Sequence, residues 1–273
     1  MAITWLIHFL VSGDYEAFKP VTFAAQIRPD HTIFPMTDTR EVSPLFYARL
    51  AGALYLIIIA AGLIGEMFIR GPLFVSGDPA ATANEIRQAT DLWRMGIAGD
   101  LLMQVCDLPV MWALYILLRP VNRKLALLNL LFNMIQTAVL VTNKLSLVMV
   151  LFLLGKNSYL SAFEPQQLET LSYLFIKLHD YGFGIGLIFF GFVCLIEGYL
   201  IVRSGFLPKI LGYGMQVAGV CYLVNSIALL LAPALAGAMF PFILLPPFFG
   251  ELSLAMWLLI KGVDEAKWKL AGV

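Results

Sequence analysis

His179 and Asp180 are the residue types that a general base and its orienting carboxylate would need, and Lys177 stands just before them. On a helix, however, neighbouring side chains point about 100° apart. The pair therefore does not meet as a catalytic dyad must. A metal site there would have to draw on Asp100 or Glu66 from other segments. The chain contains no HExxH, GxSxG or phosphate-loop pattern, and no serine that can be matched with a base. Cys106, Cys194 and Cys221 are isolated inside apolar runs, without CxxC or Cys/His spacing, and read as small buried hydrophobes. No metal and no other cofactor is expected.

The remaining candidates are ionisable residues inside apolar segments, so their meaning depends on what surrounds them. Of 273 residues, 60% are hydrophobic and 13% charged, against about 25% charged in soluble domains. Such a chain needs lipid as its solvent, and the bilayer is its first expected partner. Lys plus Arg and Asp plus Glu number 18 each. That balance excludes nucleic acid, which requires clustered positive charge.

A span needs about 20 mostly apolar residues to cross about 30 Å of hydrocarbon. Segments near 46–69, 93–118, 125–154, 171–202, 210–232 and 240–260 qualify. Only helices satisfy their own backbone in lipid at this segment length. The expected fold is an all-α polytopic transmembrane bundle of about six spans over 45–263, with a polar tail at 1–44 and a short tail at 264–273. The apolar run Trp5–Val11 is too short for a signal core or a span, and His8 and His31 belong to no recognisable site. Arg and Lys gather on one side, at Arg40, Arg49, Arg119, Arg123, Lys124, Arg203, Lys209, Lys261, Lys267 and Lys269. This bias places both termini in the cytoplasm. Asp78 before Pro79 predicts a capped helix near 79–90 on the outer surface, and Glu164-Pro165 predicts the start of the fourth helix. Tight loops holding Pro120 and Pro208 predict antiparallel neighbours.

Depth follows from the helical rise of about 1.5 Å per residue, counted from the basic end of each span. Glu251 falls about 15 Å in, and Asp107 and Gln136 about 18 Å, near the midplane. Asn225, Glu66, Asp100 and Lys144 lie at about 24 to 30 Å. Lys177, His179 and Asp180, at about 34 to 39 Å, stand at the outer mouth. Asn129, Asn133, Gln216 and Glu197 lie in the inner third. Asp100, Met103, Gln104 and Asp107 share one helix face, beside a kink expected at Pro109. Lys144 is the counter-charge for Asp100 or Glu66. Asp107 and Glu251 are the functional candidates, because intramembrane carboxylates are costly. Glu197 snorkels toward Arg203. Asn129, Asn133 and Gln216 hold helices together. Gly182 and Gly186 form a GxxxG step for close packing, which makes the fourth span a post for its neighbours.

Several phrases together resemble a known family: Arg49–Leu56 (RLAGALYL), Arg94–Leu101 (RMGIAGDL), Leu118–Arg123 (LRPVNR), His179–Phe183 (HDYGF), Arg203–Pro208 (RSGFLP) and Gly250–Ser253 (GELS). In that order, over roughly 46–263, the chain resembles a bacterial integral-membrane family known as domain of unknown function 4386. The resemblance implies a multi-span architecture in a bacterial inner (plasma) membrane. It implies no activity and brings no functional residues with it. The leading expectation is an outward-facing polar cavity that binds or transports a small or amphipathic solute. An enzyme acting on a lipid or isoprenoid, with carboxylate acid/base groups, is the second reading. A non-catalytic partner or sensor subunit is the third.

Overall fold

The structure, a computed structural model, describes residues 43–271. The expected tail and its two histidines lie almost wholly outside them. Among the described residues there are helices and short loops but no strand, and six helices are long and apolar enough to cross a membrane.

Local signals account for most helix starts. α1 (Pro44–Ile64) begins at a proline, with Ser43 Oγ accepting from the Leu45 amide at 3.1 Å. It continues through a π-helical turn, Gly65–Arg70, and a last turn, Gly71–Leu73. α2 (Pro79–Gln88) is capped by Asp78, which accepts from the Ala81 amide at 2.9 Å. α3 (Thr90–Leu118) follows directly and runs through Pro109 without interruption. Asn122 caps α4 (Arg123–Leu154) by accepting from the Leu125 amide at 3.0 Å. α5 (Pro165–Ser204) opens on a reciprocal capping box between Glu164 and Gln167. It stays helical through its glycines and stops at Gly205, whose φ of +70° suits a residue without Cβ. α6 (Lys209–Leu231), the short α7 (Pro233–Met239), α8 (Leu245–Ile260) and α9 (Glu265–Ala271) complete the chain.

The spans form a closed ring in chain order. α1 packs on α3, α3 on α4, α4 on α5, α5 on α6, α6 on α8, and α8 back on α1. The fourth span is therefore one stave of the ring rather than a central post, although its interfaces with α4 and α6 are the most extensive. Its contact with α6 is a glycine seam. A Cβ on Gly198 or Gly212 would lie 2.5 Å from the carbonyl oxygen of the other, and one on Gly219 would lie 2.6 Å from that of Gly191. Gly182 and Gly186 instead face α4, making room for the side chains of Asn143 and Leu140.

α4 displays the inside-out logic of the whole molecule. Its buried stripe carries Asn129, Asn133, Gln136, Thr137 and Lys144, while Leu127, Leu131, Met134 and Leu145 are 46%, 48%, 51% and 66% exposed. A helix that turns leucine outward and asparagine inward is stable only where the surroundings are apolar. At the basic face, the segment expected as a tail forms α9. Trp268 Nε1 donates to the Leu117 carbonyl at 2.9 Å, and Ser43 Oγ donates to Glu265 at 2.6 Å. At the opposite face α2 is tied to α5 by Arg87–Glu169 at 2.9 Å, and Trp93 Nε1 donates to the Leu147 carbonyl at 3.1 Å.

Candidate functional site

Two polar groups occupy the ring, one above the other. The first lies toward the face opposite the basic one and is centred on Asp100, which is 3% exposed. Its Oδ2 accepts from Arg70 Nη1 at 2.8 Å and pairs with Lys144 Nζ at 2.9 Å. The pairing expected from depth between Lys144 and Asp100 is thus present. Arg70 also holds Glu66 at 3.0 Å, but the Glu66 side chain is 64% exposed and points away from the interior. The π-helical turn brings Arg70 inward, as such turns often do at functional positions. Gly65 makes room for it, since a Cβ there would sit 3.3 Å from Arg70 Nη2 and 3.5 Å from Asp100 Oδ1.

Lys144 Nζ also lies 3.1 Å from His179 Nε2. An ammonium has no lone pair to offer, so Nε2 accepts and the ring proton sits on Nδ1. That nitrogen is 3.9 Å from Asp180, beyond hydrogen-bond range, so the sequence neighbours form no dyad. His179 is buried, and Asn143 donates to its carbonyl at 2.8 Å. Asp180 and Lys177 are about half exposed and 3.6 Å apart, and Lys177 lies 4.6 Å over the Phe74 ring. Of the three residues expected at the mouth, His179 belongs to the Asp100 network and the other two to the rim.

The second group lies deeper. Glu251, 8% exposed, takes the hydroxyl of Tyr55 on Oε2 at 2.9 Å and that of Tyr222 on Oε1 at 2.5 Å. Asp107 is half-buried at the α3–α4 seam. It takes the Thr137 hydroxyl at 2.5 Å, with Asn133 alongside. Gln136 is buried next to Thr137. Asp107 and Glu251 lie within electrostatic reach of each other but hold separate partners. Glu197 does not snorkel. It is 3% exposed, beside Asn129 and within reach of Glu251 and Asp107, while Arg203 stacks over Tyr199 at 5.6 Å. Among the described residues no lysine or arginine forms a salt bridge with any of these three carboxylates. Gln104, one turn from both Asp100 and Asp107, links the two groups along α3.

Residue types alone did not mark Tyr55, Tyr222 or Thr137, because tyrosine and threonine are ordinary in spans. Nor did they mark Arg70, which reads as a loop charge. A signal for α4 was available: Asn129, Asn133, Gln136 and Lys144 recur at helical spacing on one face. Two surface clefts lie elsewhere. One of 660 Å³ is bounded by Phe163, Gln167 and Leu171, and one of 310 Å³ by Tyr213, Gln216 and Cys221.

An apolar exterior, six long spans and a carboxylate-lined interior define a multi-pass helical membrane protein. The chain belongs to the family described as Domain of unknown function (DUF4386), whose model matches residues 50–262. It is also 31% identical over 166 residues to an uncharacterized protein of Archaeoglobus fulgidus, covering 61% of this chain and 83% of that protein. No solved structure matches.

Proposed function

We propose that the chain binds or transports a small or amphipathic solute through the polar interior of its ring. It does so in the cell membrane, with both ends cytoplasmic. The observation that carries this reading is Glu251, buried mid-span and held by two tyrosine hydroxyls without a salt bridge. Ionisable groups inside a bilayer are costly and mark ligand or ion pathways. Asp107 extends the same acidic lining toward the Asp100 network, and Glu197 extends it toward the basic face. Asp107 and Glu251 each keep their own hydroxyl partners rather than sharing a reacting position, which favours a binding role over acid/base chemistry.

The test is extraction of the full chain in native-lipid particles, with identification of co-purifying small molecules by mass spectrometry. A solute enriched with the parent protein should fall at least tenfold, or about 1.4 kcal/mol of affinity, in the folded Asp107→Asn/Glu251→Gln double variant. Identical complements of small molecules in the two proteins would overturn the reading.

A further inference from the structure

The hydrogen-bond balance of the deeper group points to the chemistry of the solute. Three hydroxyl donors of the group are already committed: Tyr55 and Tyr222 to Glu251, and Thr137 to Asp107. Among the described residues five buried side-chain oxygens have no partner, the Ser226 hydroxyl and four amide or carboxyl oxygens: Gln104 Oε1, Asn129 Oδ1, Asn133 Oδ1 and Glu197 Oε1. All four residues are at least nine-tenths buried. Asn129 and Asn133 already hold Glu197 and Asp107 through their amide groups, so rotating either amide gives up that hydrogen bond to satisfy another. The inner face of α3, α4, α5 and α8 is thus rich in unpartnered acceptor oxygens and in carboxyl groups that no lysine or arginine pairs. Buried acceptors left unpaired are costly. Ligands that pair them must bring N–H or O–H groups, and the carboxylates favour one that is positive. The oxygens are spread over four helices rather than gathered into a metal-ligating group, so a bare metal ion fits less well.

We infer that the solute is a small N–H-donating cation, an ammonium or guanidinium group, bound where Asn129, Asn133 and Glu197 face Asp107 and Glu251. This rests on the solute-binding reading above. The Asp100 network, with its paired Arg70 and Lys144, stands between this site and the face opposite the basic one.

The full chain in liposomes, offered labelled methylammonium and labelled guanidinium, tests it. Saturable uptake of at least one is expected, competed by the other. Tetramethylammonium, which has the charge but no N–H, and urea, which has N–H but no charge, should compete at least tenfold more weakly. Glu197→Gln should cut the initial rate at least tenfold. Asn133→Leu guards against a folding artefact. In protein that remains folded, removing the unpartnered Asn133 oxygen should lower uptake several-fold. Absence of saturable uptake of both cations, equal competition by urea or by tetramethylammonium, or full uptake in a folded Asn133→Leu protein would each overturn the inference. A neutral or anionic solute found in the native-lipid particles would sink the cation assignment and leave the solute reading standing. Identical complements in parent and double variant would remove both.

Discussion

Glu251 shows how a single carboxyl is made tolerable inside a bundle. Its two oxygens each take a tyrosine hydroxyl, and each tyrosine brings its own apolar ring as packing. Tyr222→Phe leaves one oxygen without a donor and should cost about 1–3 kcal/mol, read as a fall in the detergent melting temperature. Glu251→Gln should be tolerated better than Tyr222→Phe, because the amide oxygen accepts from one hydroxyl and the amide NH2 donates to the oxygen of the other. Lys144 is a different case. It serves Asp100 and His179 together, so Lys144→Met strips a buried carboxylate of one of its two cations. Breaking such a pair costs about 3–5 kcal/mol, and retained Arg70 should keep the loss near the lower end. Adding Asp100→Asn should recover part of it, and a double-mutant cycle on melting temperature measures how much.

The helices are joined by two kinds of contact with different tolerances. Along the α5–α6 seam a Cβ on Gly212 would meet backbone, 2.5 Å from Gly198 O and 2.9 Å from Val202 N. Backbone cannot swing aside, so Gly212→Ala should destabilise by about 1–3 kcal/mol. Gly99 of α3 has nothing within 4 Å of its missing Cβ. Gly99→Ala should be neutral or stabilise by up to about 1 kcal/mol through helix propensity. Melting temperatures that fall equally for both would contradict the seam. α9 reports on a third kind of contact, with Trp268 anchored to α3 and Asp264 beside its first turn. The Lys267 amide donating to Asp264 holds that carboxyl below its usual range. A depressed folded-state value stabilises above the ordinary aspartate value of about 3.9 and is lost as pH falls through the lower one. A fluorine-labelled Trp268 signal should therefore stay constant from about pH 7 to about pH 5 and shift only below about pH 4.

At the scale of the molecule, the polarity is inverted relative to a soluble bundle. Leucine and valine cover the outside, and Asp100, Lys144, Glu197 and Glu251 lie inside. Six spans return the chain to the face it started from, where Ser43 and Glu265 touch. The excess of Lys and Arg on that face assigns it to the cytoplasm under our proposal. Cysteine labelling in intact cells checks the assignment, since native Cys106 and Cys194 are buried and Cys221 is half-buried within a span. An impermeant maleimide should label Glu85→Cys directly and Lys267→Cys only after permeabilisation. The opposite pattern would reverse the orientation.

The sequence by itself determined what depends on local chain and depth. Span number and position follow from apolar length. The helix starts at Pro79 and Pro165 follow from Asp78 and Glu164, which act within one turn. Depth along the helix axis was enough to match Lys144 with Asp100. What only the tertiary structure decided is rotation about each axis and the choice of neighbour. In lipid both the packed and the solvent-facing sides of a helix are apolar, so hydropathy does not say which way a residue points. Glu66 therefore turned out where an inward position was expected, Glu197 turned in where snorkelling was expected, and Arg70 entered the interior through a π-helical turn with no strong sequence signature. The tyrosines that hold Glu251 come from α1 and α6, far from it in sequence, and only closure of the ring brings those three helices together.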